Sequence, residues 1–170
     1  MVSRKNILIK GAAIAAGLSV YETRKRSNDQ LIDLAANLDE GRFGGWFARN
    51  GVRYRDIAAM WLTESLGDPR AVNLTGEDGA QGGAWGLGQV TARTATDYGI
   101  LAPLAPLMLY PRIGGRISMA HVQFVVQGLR NNGRAGDHIE WVQAYNVGLS
   151  GFLSGRTNLA HYQRFLTHLT

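Results

Sequence analysis

The 170-residue chain carries 18 Lys+Arg against 13 Asp+Glu and has no cysteine, so a disulfide framework, a thiolate metal site and a Cys nucleophile are excluded. Six basic groups (Arg4, Lys5, Lys10, Arg24, Lys25, Arg26) and one acid, Glu22, lie in residues 1–26, which accounts for the whole net charge of +5. Residues 27–170 hold twelve charges of each sign and are formally neutral. They lack the clustered Lys/Arg of phosphate-driven binding, and no nucleic-acid partner is expected.

The chain divides into a short leader, residues 1–26, and one domain, residues 27–170. The apolar run Ile7 to Tyr21, ILIKGAAIAAGLSVY, is flanked by Arg4/Lys5 and by Arg24-Lys25-Arg26. It is shorter than the roughly 20 residues that span a bilayer. Three readings remain open: an uncleaved anchor with Lys10 at the headgroups, a cleaved export signal with Ala13-Ile14-Ala15 as the small-x-small site, or an N-terminal helix packed on protein.

From residue 27 the pattern is helical. Leu31, Leu34, Ala35 and Leu38 follow helical spacing, with Asn28 or Asp29 as cap and Gly41 as stop. A Gly/aromatic connection follows, and then a helix from Tyr54 to Ser65, which Pro69 prevents from continuing. Residues 73–90 are expected to be a loop or small hairpin. A short helix over 92–98 leads into a connector punctuated by Pro103 and Pro106. Pro111 opens a long helix to about Asn131, with Ile113, Ile117, Ala120/His121, Phe124 and Gly128 on one helical face. Helices over 137–146 and 158–169 complete the chain, the last with Leu159, Tyr162, Leu166 and Leu169 aligned. The fold class is mainly α, with any β structure near residues 73–90.

Glu64 stands out chemically. It shares a helix face with Ile57, Met60 and Trp61. A carboxylate on a core-facing stripe is costly to ionise, which suits a general acid. The bland alternative is a Glu64 that reaches solvent or pairs with Arg53 or Arg70. Other chemistries fail: Gly148-Leu149-Ser150-Gly151 misses the nucleophile elbow, Gly86-Leu87-Gly88 is neither a dinucleotide fingerprint nor a phosphate loop, and the four histidines match no common metal spacing. No metal and no cofactor are expected.

Three ordered segments carry a resemblance. They are Glu64-Ser65 with Asp68-Pro69-Arg70-Ala71-Val72-Asn73, then Gly86-Leu87-Gly88-Gln89, then Ala144-Tyr145-Asn146-Val147-Gly148. Together they resemble the lytic transglycosylase (SLT) family, which has the goose-type lysozyme fold, over about residues 53–165. Tyr162 is placed for the family's Tyr in the final helix, although it also completes that helix's apolar stripe. Gly88 stands where the family has Met, and the loop TGEDGAQGGAW is longer than usual. Both departures bear on subsite preference.

The resemblance implies a mainly α, lysozyme-like α+β fold and an enzyme acting on peptidoglycan strands. Glu64 would be the single acid/base that cleaves the MurNAc–GlcNAc β-1,4 bond with formation of 1,6-anhydro-MurNAc. Ser65, Gly86, Gln89, Tyr145, Asn146 and Tyr162 would bind or orient the saccharide, with Trp85 lining the groove. Glu77 or Asp78 could position water and make the enzyme a hydrolytic muramidase instead. A catalytically silent glycan-binding component of a virion or secretion apparatus is the other class. The leader would place the domain at a membrane in the cell envelope or in a phage virion.

Overall fold

The computed structural model describes residues 25–74 and 83–169, so most of the leader and Glu77 and Asp78 lie outside the described residues. The first helix, α1 (Asn28–Leu38), has its cap one residue before Asn28, the earlier of the two expected caps. Ser27 caps it through a reciprocal box: the Gln30 amide donates to Ser27 Oγ and the Ser27 amide to Gln30 Oε1. Nor does Gly41 stop it. The chain continues as a π-helical turn (Asp39–Phe43) and closes at Gly44, whose φ of 59° is left-handed.

Asp39 explains that extension. It is fully buried, and its carboxylate accepts the amides of Phe47 and Ala48, each at 3.1 Å, and the Tyr54 hydroxyl at 3.0 Å. It thereby pins the start of a short helix, α2 (Trp46–Arg49), inside the stretch expected to be a connection. The next helix, α3 (Tyr54–Ser65), has the expected limits and buries Ile57, Met60 and Trp61.

A three-stranded antiparallel sheet follows, β1 (Val72–Asn73), β2 (Ala84–Trp85) and β3 (Val90–Thr91), in that spatial order. Val72 pairs with Trp85, and Trp85 with Val90. Thr91 caps α4 (Ala92–Thr96). The proline-punctuated stretch is a 3₁₀ helix (Ala102–Leu109) rather than a plain connector.

The long helix, α5 (Pro111–Asn131), has the expected limits, but its core face is rotated. Val122, Val125, Val126 and Leu129 are buried at helical spacing, whereas Phe124 is 53 % exposed. Two apolar stripes run along this helix, and the β-branched one packs inward. Next come α6 (His138–Val147), capped by Asp137, and α7 (Leu149–Leu153). The last helix, α8 (Leu159–Thr167), is also turned: His161 and Phe165 are buried, while Leu159 and Leu166 are exposed.

The buried residues form two clusters. The larger joins α1, α3, α5, α6 and α8 around Trp61, Trp141 and Phe165. Trp61 Nε1 donates to Ser118 Oγ on α5 at 2.7 Å, so the indole has its polar partner inside the core. The smaller lies beneath the sheet and contains Val90, Ala95, Met108 and Ile117. Tyr145 packs against both. The architecture is mainly helical with a small sheet, as expected for a lysozyme-like fold.

Candidate active site

Glu64 sits in the last turn of α3, with its side chain 14 % exposed. Leu66 then takes a left-handed φ of 54° and Gly67 one of 73°, which ends the helix abruptly. Glu64 Oε1 lies 2.8 Å from His161 Nε2, from α8. The alternative arginine partners are engaged elsewhere, Arg53 with Asp56 at 2.8 Å and Arg70 with Asp68 at 3.4 Å.

A cleft of about 130 Å³ opens beside Glu64. It is also lined by Gln89, Val90, Thr91, Thr94, His121, Tyr145 and Asn146. Gln89 has a φ of 46°, which is costly for a non-glycine residue. Its Nε2 donates to the carbonyls of Ala71 at 3.1 Å and Gly86 at 3.0 Å, and these bonds hold the turn.

The two glycines of this turn are needed for packing. A Cβ on Gly86 would stand 2.2 Å from the Met108 carbonyl oxygen. A Cβ on Gly88 would stand 2.3 Å from Ser118 Cβ and 2.8 Å from the Tyr145 hydroxyl. A methionine at 88 would therefore have to displace α5 or Tyr145. The Tyr145 hydroxyl instead donates to the Gly88 carbonyl at 2.7 Å. Burial, reinforced by the charge of Glu64, pushes the Tyr145 pKa well above its usual value, so the hydroxyl stays protonated.

Asn146 is exposed at the cleft, and its Oδ1 accepts from Asn158 Nδ2 at 2.9 Å. That bond leaves the Asn146 NH₂ free to turn toward a ligand. His121 Nδ1 lies 3.1 Å from the Tyr98 hydroxyl, and its ring meets that of Tyr145 at 5.0 Å. Burial lowers the His121 pKa, against a smaller opposing pull from Asp97. Burial raises Tyr98 to about 12.

Three residues expected at the site lie elsewhere or serve differently. Ser65 is buried, and its hydroxyl donates to the Trp61 carbonyl one turn back at 2.9 Å. Tyr162 does not line the cleft: its ring stacks on Phe165 and on His138, at centroid distances of 5.9 and 6.4 Å. Trp85 packs against the smaller cluster and is not among the lining residues. The arrangement thus brings Glu64, Gln89, Tyr145 and Asn146 together. It adds His161, on Glu64, and His121, in the cleft lining. The available signal was Asn158 as helix cap, with His161 three and Phe165 seven residues beyond it. Among the described residues, no group of three or more His, Asp or Glu could hold a metal ion.

Among its described lining residues the cleft presents one carboxylate, held by a histidine and flanked by neutral polar groups, which is suited to proton transfer on an uncharged ligand. No curated protein and no solved structure matches the chain significantly. The family model described as "Transglycosylase SLT domain" matches residues 43–158. That segment contains Glu64, Gln89, Tyr145 and Asn146 and ends before α8. The match covers most of the chain, and the protein belongs to the SLT transglycosylase family, whose members cleave peptidoglycan strands.

Proposed function

We propose that the chain is a lytic transglycosylase that cleaves the MurNAc–GlcNAc β-1,4 bond with Glu64 as the only acid/base. One observation carries this reading: among the described residues that line the cleft, Glu64 is the only carboxylate. Hydrolytic glycosidases use a second carboxylate, about 5–5.5 Å away when retaining and about 6.5–9.5 Å away when inverting. With one carboxylate, the nucleophile is drawn from the substrate.

In this mechanism protonated Glu64 gives its proton to the glycosidic oxygen as the bond from C1 of MurNAc breaks. The N-acetyl group of MurNAc shares the positive charge at C1. Glu64, now a carboxylate, takes the proton of the C6 hydroxyl as O6 bonds to C1. The products are 1,6-anhydro-MurNAc and a free GlcNAc 4-hydroxyl. No water is consumed, and Glu64 ends protonated.

Tyr145 fixes the wall of the cleft through Gly88. Gln89 offers its Oε1, and Asn146 its NH₂, to the sugars' N-acetyl and hydroxyl groups. Gly86 and Ser65 support this set from behind, Gly86 by letting the turn meet the 3₁₀ helix and Ser65 by tying off the last turn of α3. The leader, residues 1–26, would tether or export the domain to the envelope, where its positive charge faces anionic lipid.

Mass spectrometry of digested sacculi tests the reading. Anhydro-muramyl ends are expected from the wild type and none from Glu64→Gln. Reducing muramic ends would replace it with a hydrolytic muramidase, with Glu77 or Asp78 as the residues to substitute next.

A further inference from the structure

We propose that His161 is the positioning residue of this site, holding Oε1 of Glu64 through its Nε2–H so that the exchanging proton is carried on Oε2. The inference rests on Glu64 being the acid/base, as argued above. Its starting point is geometric. The side chain is 3 % exposed, and Nε2 lies 2.8 Å from Oε1. Nδ1 is buried with no hydrogen-bond partner among the described residues. A proton on Nδ1, whether in the neutral ring or in an imidazolium, would be a buried N–H with no acceptor among the described residues. The tautomer that avoids this carries its proton on Nε2, which therefore donates to Oε1.

This bond survives both states of the reaction. When Glu64 is an acid, Oε1 is the carbonyl oxygen and accepts from Nε2–H. When Glu64 is a carboxylate, the same bond becomes charge-assisted and stronger. No proton passes to His161, because Nε2 already bears one. Oε2 therefore delivers the proton to the glycosidic oxygen and recovers one from the C6 hydroxyl. A carboxylate fixed at one oxygen loses the freedom to rotate away from its attack geometry.

The histidine is itself clamped. Asn158 Oδ1 accepts the His161 amide at 3.0 Å, and Phe165, one turn on, is fully buried. The other end of the same Asn158 amide donates to Asn146 Oδ1. One side chain at the start of α8 thus sets both the residue on the acid and a polar group of the cleft. The helices packed on α8 are α3 and α6. Their titratable groups near it are Asp56, held by Arg53, then Glu64, Tyr145, and His138 on Tyr162 and Phe165. Asp137 caps α6. The matched family segment ends at residue 158, so the assignment of His161 comes from this chain's own geometry.

Two measurements on the full chain test the proposal. Imidazole ¹⁵N NMR without substrate, at a pH where the ring is neutral, is expected to show His161 as the Nε2–H tautomer. An Nδ1–H tautomer overturns it. On purified sacculi, His161→Leu is expected to lower kcat about 100-fold at unchanged KM. His161→Gln, whose amide can donate from a similar place, should recover to within about tenfold of wild type, the order of one neutral hydrogen bond. Wild-type turnover by folded His161→Leu, or no recovery in folded His161→Gln, also overturns it. Wild-type products without anhydro ends would reject the lyase reading alone, since the NMR needs no substrate.

Discussion

Glu64 and His161 are 97 positions apart and meet at 2.8 Å. At this scale the site is a set of side chains whose polar atoms are committed in advance. Tyr145 is committed to Gly88, Gln89 to two backbone carbonyls, and Asn146 to Asn158. Removing the acid should stop the chemistry without loosening the fold. Glu64→Gln is expected to lower sacculus cleavage about 10³-fold, with a melting temperature within about 2 °C of wild type. Activity above a tenth of wild type would remove Glu64 from its role. His121 gives a pH signature. Burial depresses its folded pKa below the usual 6.5, so the unfolded chain binds the extra proton first. Its contribution to stability is present above about pH 6.5 and is lost as pH falls toward the lower folded value. Thermal melts should therefore decline on acidification from pH 7 to 5, and His121→Phe should flatten that slope. An equal slope in both proteins would contradict the assignment.

At the scale of elements, two contacts place the site. Asp39 holds the start of α2 and the Tyr54 hydroxyl, and so fixes the approach to α3. Asp39→Ala would leave two amides and a hydroxyl in or near the core without their acceptor. The expected loss is about 3 kcal/mol, or roughly 10 °C in melting temperature for a domain of this size. A change under 2 °C would mean that water replaces the carboxylate freely. The second contact is the turn at Gly88. Gly88→Met would restore the residue usual in the family and drive a side chain into Ser118 and Tyr145. Overpacking of this kind costs about 1–3 kcal/mol. We expect reduced activity as well as a lower melting temperature, because Tyr145 must move. A more active Gly88→Met would show that the turn rearranges at little cost.

At the scale of the whole molecule, the cleft lies where two apolar clusters meet. Glu64 comes from the helical cluster, Val90 from the cluster beneath the sheet, and Tyr145 packs on both. Relative motion of the two would change the distance between the acid and the sugar-facing amides without breaking either core. Among the described residues, no helix is long and apolar enough to cross a membrane. The leader is proposed above as the tether, and its cationic flanks predict a measurable effect. The full chain should sediment with vesicles containing anionic phosphatidylglycerol. Deletion of residues 1–26 should weaken that binding about 100-fold, the order expected from losing several basic groups. Cleavage of isolated sacculi should persist in the deletion protein. Equal vesicle binding by both would remove the leader from that role.

Local sequence was enough to place the helices at 54–65 and from 111 to 131, the neutral body, the carboxylate at Glu64 and the three ordered motifs. Each of these is written in neighbouring residues, as periodicity, a proline, a charge count or a contiguous motif. Which face each helix turns inward was not legible in two cases. On α5 two apolar stripes compete, and on α8 the Leu159–Tyr162–Leu166 stripe looks as convincing as His161–Phe165. One residue of register rotates a helix by about 100°, so the choice belongs to the partners that fill the space. On α8 those partners are Trp141 on α6 and the acid at the end of α3. The packing therefore sets Tyr162 on Phe165 and His161 on the acid, where the Tyr162 stripe alone points the other way. A sequence can place a histidine on a helix, but only the packed structure sets it against a carboxylate 97 residues away.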